Sequence, residues 1–398
     1  MSALTSPWRR DFPFFNQSEY VYLDSAATSQ KPHVMLDALT DYYRAGAANV
    51  HRAQHALGEH ATIAFEATRA LAAKWLNAAR AENVVFTRGT TESINLLAYS
   101  LEHLLQGGDE IAISAAEHHA NLLPWQQLAH RVNAKLVVLP LTLAGDIDQE
   151  AALTLMNPRT KVLAVSALSN VLGRAQNLAP LLAHAQSLGA LTVVDGAQAS
   201  VHQRPDVQAL NCDFYLCSAH KLYGPEGVGL LYGKNQALSL LKHWHFGGEM
   251  VESARFTEST FRAAPLGFEA GTPAIAAVIA FAASLNYLLA LNASEVSAYE
   301  QALFKTLVQG LKARNVEFLG EPTSALACFS VKGVHHTDLA QLLAEQNICV
   351  RAGQHCAMPL MQTLGVKGAI RVSLAFYNDH SDLERFFKAL DNALELLA

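Results

Sequence analysis

The sequence predicts an α/β fold: a large, doubly wound and mainly parallel sheet domain, followed by a smaller α+β C-terminal domain. Three observations carry that expectation. Short apolar runs alternate with helical patterns from about residue 80 to 235, the rhythm of strand–helix–strand crossovers. Beyond Tyr232 the rhythm breaks, and a new unit of helix and strands begins near residue 295. The chain of 398 residues is 51% hydrophobic and 16% charged, which suits more than one buried core. The divisions fall at 1–20, a segment packing with the small domain, 21–294 and 295–398.

Composition excludes several classes of function. A net charge of -6 leaves no electrostatic footprint for nucleic acid. Met1 to Phe15 contains no apolar run, and Arg9-Arg10 is followed by Asp11 and Pro13, so neither a secretory nor a twin-arginine signal fits. The five cysteines form no C-x-x-C pair, which suits a reducing cytoplasm. Ala274 to Ala293 is uncharged but dominated by alanine and broken by Ser284 and Asn286, so it reads as a buried helix or subunit interface and not as a membrane span.

In chain order, Tyr20 to Leu23 is a short strand that runs into the small-residue turn Asp24-Ser25-Ala26-Ala27-Thr28, where backbone can approach a ligand closely. His51 and His55 are four residues apart, but no third ligand has zinc spacing and no H-E-x-x-H occurs, so no metal is expected. The strand Asn83 to Thr87 precedes Arg88-Gly89-Thr90-Thr91-Glu92-Ser93 and a helix through Leu105. That turn outlines a phosphate cradle at a helix start, although ordinary N-capping is the better reading of an isolated Gly-Thr-Thr. The strand Glu110 to Ser114 delivers Glu117-His118-His119-Ala120-Asn121 to the same edge, where one imidazole either stacks on a cofactor ring or is satisfied by backbone. The strand Val162 to Ser166 brings Asn170 there as well.

Leu191 to Val194 is an apolar strand ending on Asp195, with Gln198 just beyond. Ligands of parallel sheets lie past such carboxyl ends. An acid there suits the protonated ring nitrogen of pyridoxal phosphate, or else caps the next turn. Phe214 to Cys217 is a second apolar strand, and it ends in Ser218-Ala219-His220-Lys221 before a glycine-rich turn. Desolvation there disfavours the ammonium form and exposes an amine able to form a Schiff base with an aldehyde. Asp195 and Lys221 at the ends of two buried strands are poorly explained by capping alone. Phe246 to Phe261 reads as an extended arm or hairpin able to reach a second subunit.

The C-terminal domain carries Arg351-Ala352-Gly353-Gln354-His355-Cys356-Ala357-Met358-Pro359. Cys356 is the candidate nucleophile, because flanking His355, nearby Arg351 and a helix start at Pro359 are expected to favour its thiolate. Cys212, Cys217, Cys328 and Cys349 read as small buried hydrophobes. Arg371, opening Arg371-Val372-Ser373-Leu374, either clamps a substrate carboxylate or forms a structural ion pair.

Together, Arg88-Gly89-Thr90-Thr91-Glu92, Glu117-His118-His119-Ala120-Asn121, Asp195-Gly196-Ala197-Gln198, Ser218-Ala219-His220-Lys221 and Arg351 to Ala357 resemble, in that order, a fold-type I pyridoxal-phosphate enzyme of the class V aminotransferase family. More narrowly, the chain resembles a group II cysteine desulfurase. Gln354-His355 before the cysteine and Gly333-Val334-His335-His336 are similar to the cysteine sulfinate desulfinase branch. The resemblance implies that Lys221 attaches pyridoxal 5'-phosphate, Asp195 pairs with its ring nitrogen, Gln198 reaches its ring oxygen and His119 stacks on the ring. It implies phosphate binding by Thr91, Ser218 and His220, completed by Thr272 of the facing subunit in a homodimer. Arg371 and Asn170 would hold the substrate carboxylate, with Arg351 and His51 near the substrate. The implied reaction turns L-cysteine into L-alanine with a persulfide on Cys356, which passes to a SufE/CsdE-like acceptor protein, and extends to cysteine sulfinate and selenocysteine. The rival readings are another class V aminotransferase or lyase, with no use for the thiol, and a non-catalytic scaffold that binds a sulphur acceptor.

Overall fold

The computed structural model describes residues 5–397, so residues 1–4 of the expected N-terminal segment lie outside the described residues. Its strands are β1 (Val21–Tyr22), β2 (Val84–Thr87), β3 (Glu110–Ser114), β4 (Lys135–Leu139), β5 (Thr160–Ser166), β6 (Leu191–Asp195), β7 (Phe214–Ser218), β8 (Gly229–Gly233), β9 (Val251–Ala254), β10 (Ser259–Phe261), β11 (Glu317–Phe318), β12 (Leu326–Ser330), β13 (Ile348–Cys349), β14 (Arg351–Gly353) and β15 (Ala369–Ser373). Seven of them form one sheet in the order β2-β8-β7-β6-β5-β3-β4. Every pairing is parallel except the two made by β8. The carboxyl ends of β2, β3, β5, β6 and β7 therefore share one edge.

Alternation within the strands sorts their side chains into two cores. Val162, Ala164, Val193, Phe214 and Leu216 join one core, into which the helices Thr90–Ser100 and Leu123–Val132 send Ile94, Leu97, Trp125 and Leu128. Leu163, Val165, Val194, Tyr215 and Cys217 join the other, with Phe65 and Ala72 of helix Ala56–Leu76 and Val278 and Phe281 of helix Ile275–Ala290. A strand buried on both faces can only be apolar throughout, which is why these runs read as continuous and not alternating. The sheet is thus the doubly wound, mainly parallel one that the sequence predicts. Helix Ile275–Ala290 lies within the alanine-rich run; its Ser284 hydroxyl donates to the Tyr223 carbonyl at 3.0 Å. No single helix among the described residues is long and apolar enough to cross a membrane.

The C-terminal residues form a second, antiparallel sheet, β11-β12-β15-β14. Helices Ala293–Lys312, His336–Ala344 and His380–Leu397 cover it through Leu303, Leu307, Leu339, Leu343, Phe386 and Leu390. β1, which a boundary at residue 21 assigns to the large unit, pairs in parallel with β13. The residues before it follow the same direction: Ser6 bonds Asp379 and Phe376, Arg9 bonds Asp382, and Phe12 packs 4.9 Å from Tyr377 and 5.8 Å from Tyr223. The arm after β8 is a hairpin of β9 and β10, its tip carrying the fully exposed Phe256.

Gly229 opens β8 directly beneath the turn that follows β2. A Cβ there would lie 2.5 Å from the Gly89 Cα and 2.6 Å from the Thr87 hydroxyl. We expect Gly229→Ala to push that turn away from Ser218, at the roughly 1–3 kcal/mol typical of overpacking. The variant's urea midpoint should fall relative to the parent, and an unchanged midpoint would show that the turn yields freely.

Candidate active site

Four of the shared strand ends and the turn after β2 converge on one spot. The last residues of β5 and β6 pair as Ser166 with Asp195, and Asp195 pairs in turn with Leu216 of β7. Three residues beyond β7's end, Lys221 is half-buried, and Asp195 is 6% exposed. Burial pulls the Lys221 amine down to about 8, although Asp195 and a Cys356 thiolate act to raise it. Arg371 and Arg351 lie within electrostatic reach of the same amine and lower it further. Burial likewise raises the Asp195 carboxyl, against the hydrogen bond it accepts from the Ala197 N–H at 2.8 Å. Gln198 is fixed by donating from its amide to the Ala26 carbonyl at 2.8 Å.

The turn after β2 is tied to the end of β7. Ser218 Oγ accepts from the Thr90 N–H at 2.9 Å and lies 2.8 Å from the Thr90 hydroxyl. Thr90 was not singled out from the sequence, where the open Thr91 beside it carries the motif. Its role shows only in space, because Ser218 lies 128 residues away. Thr91 is exposed at the start of the helix. The His220 carbonyl collects Ser29, Thr28 and Lys31 from the first turn of the chain.

The two adjacent histidines separate cleanly. His118 Nδ1 accepts from the Ala120 N–H at 3.0 Å and so caps its own turn. His119 reaches the C-terminal unit instead: its N–H donates to the Cys356 carbonyl at 2.7 Å, and its Nε2 accepts from the Met358 N–H at 3.1 Å. Glu117 is 3% exposed, accepts from Ser114, Ser166 and Asn121, and is raised to about 6 by burial. It binds the ends of β3 and β5 together beneath these histidines.

The loop bearing Cys356 is also held from β5, since Asn170 donates to the His355 carbonyl at 2.8 Å. His355 and Cys356 both adopt left-handed backbone, at φ 51° and 55°, a conformation uncommon outside glycine. The expectation that His355 assists the thiol is corrected here. Its ring is 7% exposed, its Nε2 lies 3.1 Å from the Ala369 carbonyl, and burial pulls it down to about 3, so it is neutral and turned into the core. Two consecutive left-handed residues reverse the side-chain directions, sending His355 inward and leaving Cys356 exposed. Burial raises the thiols of Cys212, Cys217 and Cys328 to about 12, as their reading as inert core residues requires.

Arg351 and Arg371 are direct cross-strand partners on β14 and β15, and like charges so placed repel. Asp24 resolves the conflict. Its carboxylate accepts from Arg351 at 2.8 and 3.1 Å and from Arg371 at 3.2 Å. Arg371 also donates to the Asn170 carbonyl at 3.1 Å, while its Nε, on a residue only 3% exposed, has no partner among the described residues. His51 and Thr272 stand apart from this cluster. His51 lies 2.9 Å from Glu66 and 3.9 Å from Glu249, and no hydrogen bond or ion pair among the described residues links it to Lys221 or Arg371. Thr272 is exposed and lines a groove with Tyr42, Asn49 and Ile275.

Residues 21–386 match the family description "Aminotransferase class-V". The chain belongs to the class V aminotransferase family. Among its relatives, a protein of Pseudomonas putida named "Probable cysteine desulfurase" is 62% identical over 98% of this chain and 99% of its own length. The Escherichia coli cysteine desulfurase CsdA is 44% identical, with 98% of each chain covered. The crystal structure of that E. coli enzyme, bearing an S-sulfonic acid, superposes with a TM-score of 0.93 at 43% identity over 98% of both chains. The apo cysteine desulfurase of Thermococcus onnurineus gives 0.94 at 34% identity, covering 99% of this chain and 100% of that one.

Class V aminotransferases depend on pyridoxal phosphate, and the residues gathered at the sheet edge fit that group. Among the described residues the Lys221 amine has no hydrogen-bond partner, and Asp195 accepts from the Ala197 N–H through one oxygen and from no group through the other. The N–H groups of Thr91 and Glu92 have no protein acceptor among the described residues, an arrangement that attracts phosphate.

Two measurements test these environments. In cofactor-free protein, labelling of Lys221 by a limiting amine-reactive anhydride should rise with a midpoint near pH 8; a midpoint near 10.4, that of a free lysine, would contradict its desolvation. Burial also pulls His118 and His220 to about 4. Unfolding these two and His355 takes up protons below about 6.5, so the stability they contribute is intact above that pH and lost as pH falls. Glu117 acts oppositely between about 4.5 and 6. Burial also raises Asp195 and Asp379, in the sense of Glu117, and lowers His336, in the sense of the imidazoles. With four imidazoles against three carboxyls, the urea midpoint should drop from pH 7 to pH 5, and a flat profile would refute the neutral buried imidazoles.

Proposed function

We propose that this chain is a cysteine desulfurase, converting L-cysteine to L-alanine while Cys356 takes up the sulphur as a persulfide. The observation that carries the reading is the latch on the Cys356 loop: His119 and Asn170, from loops that follow two parallel strands, hold the main chain beside an exposed thiol that lies within electrostatic reach of Lys221. An aminotransferase that only moves amino groups has no need of such a thiol. The names of the relatives and the solved structures support the same activity.

Bound pyridoxal phosphate supplies an aldehyde that condenses with amines and a protonated ring that withdraws electrons. In this proposal Lys221, Asp195, Gln198 and His119 hold it, with its phosphate on Thr91, Ser218 and His220 and on Thr272 of a second copy in a homodimer. The Nε of Arg371, without a partner among the described residues, takes the substrate carboxylate with Asn170, and Arg351 and His51 are assigned near the substrate by the family resemblance. The Lys221 amine would accept the substrate Cα proton, for which a value near 8 keeps a usable neutral fraction at physiological pH. Cys356 thiolate then attacks the substrate sulphur. The S–S bond forms as the Cβ–S bond breaks, and the released electron pair becomes a C–H bond of alanine on taking up a proton. Cysteine sulfinate and selenocysteine enter the same site, each with a better leaving group than cysteine.

The persulfide passes to a SufE/CsdE-like acceptor in the cytoplasm, feeding iron–sulphur cluster assembly. The chain divides at residues 21 and 295, the large domain holding the cofactor and the small one carrying Cys356 and Arg371.

Brief incubation of the holoenzyme with L-cysteine, followed by mass spectrometry and alanine detection, should give a one-sulphur adduct on Cys356 and one alanine per adduct. Cofactor without adduct or alanine would sink the proposal. Cys356→Ala should lower alanine release from cysteine by at least about 100-fold, the scale of a lost nucleophile, while retaining most activity on cysteine sulfinate. Equal loss on both substrates would remove Cys356 from the chemistry. With the parent protein, iodoacetamide at pH 8 should modify Cys356 well before Cys212, Cys217 or Cys328.

A further inference from the structure

A cavity of about 720 Å³ opens between helix Ala199–His202, helix Ala293–Lys312 and the turn before β12. It shares no lining residue with the Lys221 cluster. Its volume falls within the roughly 300–1,000 Å³ of small-molecule sites, and much of its wall is apolar, including Leu168, Leu288, Leu289 and Phe304. Three residues of that wall carry buried polar atoms with no hydrogen-bond partner among the described residues: Glu300 Oε1, Ser324 Oγ and Trp75 Nε1.

Glu300 is the decisive one. It is 5% exposed, and its other oxygen lies 3.1 Å from His202 Nδ1. A buried carboxylate oxygen without a donor is costly, and the nearest strong cation on the wall does not serve it. Arg204 donates instead to the carbonyls of Trp75 and Lys74 and stacks over the Trp75 ring at 5.9 Å. The wall thus offers one unmet negative acceptor in an apolar setting.

We infer that this cavity is a second small-molecule site, taking an organic cation whose protonated amine donates to Glu300 Oε1 and whose apolar body lies along Leu288, Leu289 and Phe304. An organic anion would face the carboxylate unpaired, and a neutral molecule of the same shape would gain only the apolar contact. Ser324 and Trp75 can bond a polar group at the cation's far end.

Calorimetric titration of the holoenzyme with N,N-dimethyl-2-phenylethylamine, a tertiary amine that cannot condense with the cofactor, tests this against 2-phenylethanol and 3-phenylpropionate. The amine should bind saturably, once per chain, and about tenfold or more tighter than either comparator. Glu300→Gln should weaken it about tenfold. Ser297→Phe, which fills the cavity one helical turn from Glu300 while keeping its carboxylate, should abolish binding even if the first variant folds poorly. Equal affinity for the three probes, tighter binding of the propionate, or no effect of either variant would overturn the inference.

Discussion

The reaction site rests on taking Lys221 and Asp195 out of water at the ends of neighbouring strands. Each is perturbed by burial in the direction that favours its neutral form, and each partly opposes the other's shift. Such a pair is expensive to bury unless something completes it. The parallel sheet makes the placement possible, because β7 ends only two residues beyond the level of β6 and the apolar layers on both faces fix their positions. Pyridoxal phosphate, on which the family depends, is a group that could complete such a pair.

The second constraint lies across the two sheets. The Cys356 loop is rigid where it meets the large sheet and open where it carries sulphur. His119 and Asn170 grip its main chain, so the thiol is positioned without any side chain being bonded to it. Asp24 does the corresponding work for the arginines, holding two like charges side by side while leaving one buried N–H of Arg371 unspent. Both devices use residues far apart in the chain, and both leave the reacting atoms free.

What the sequence disclosed follows from this geometry. The sheet was legible because strands buried on both faces must be continuous apolar runs, and Asp195 and Lys221 because each closes such a run. His355 misled: beside Cys356 in sequence it looks like an activator, but consecutive left-handed residues point neighbours apart, and nothing local announces that backbone. Asp24 lay in a turn noted only for its small residues, since its partners are 327 and 347 positions away. Thr90 was passed over for Thr91 because a helix start does not reveal which of two adjacent threonines faces inward. The single-step β1 pairing with β13 was likewise beyond any local pattern.

The N-terminal segment also sets a schedule for biosynthesis. Ser6 finds its partner Asp379 only 373 residues later, and at ribosomal speeds of roughly 5–20 residues per second that is a wait of about twenty seconds to over a minute. Throughout it Phe12, Phe14, Phe15 and Tyr22 have no β13 or Tyr377 to cover them. The emerging chain therefore carries these aromatic residues without their final partners for most of its synthesis, and closure of the C-terminal sheet is the event that covers them.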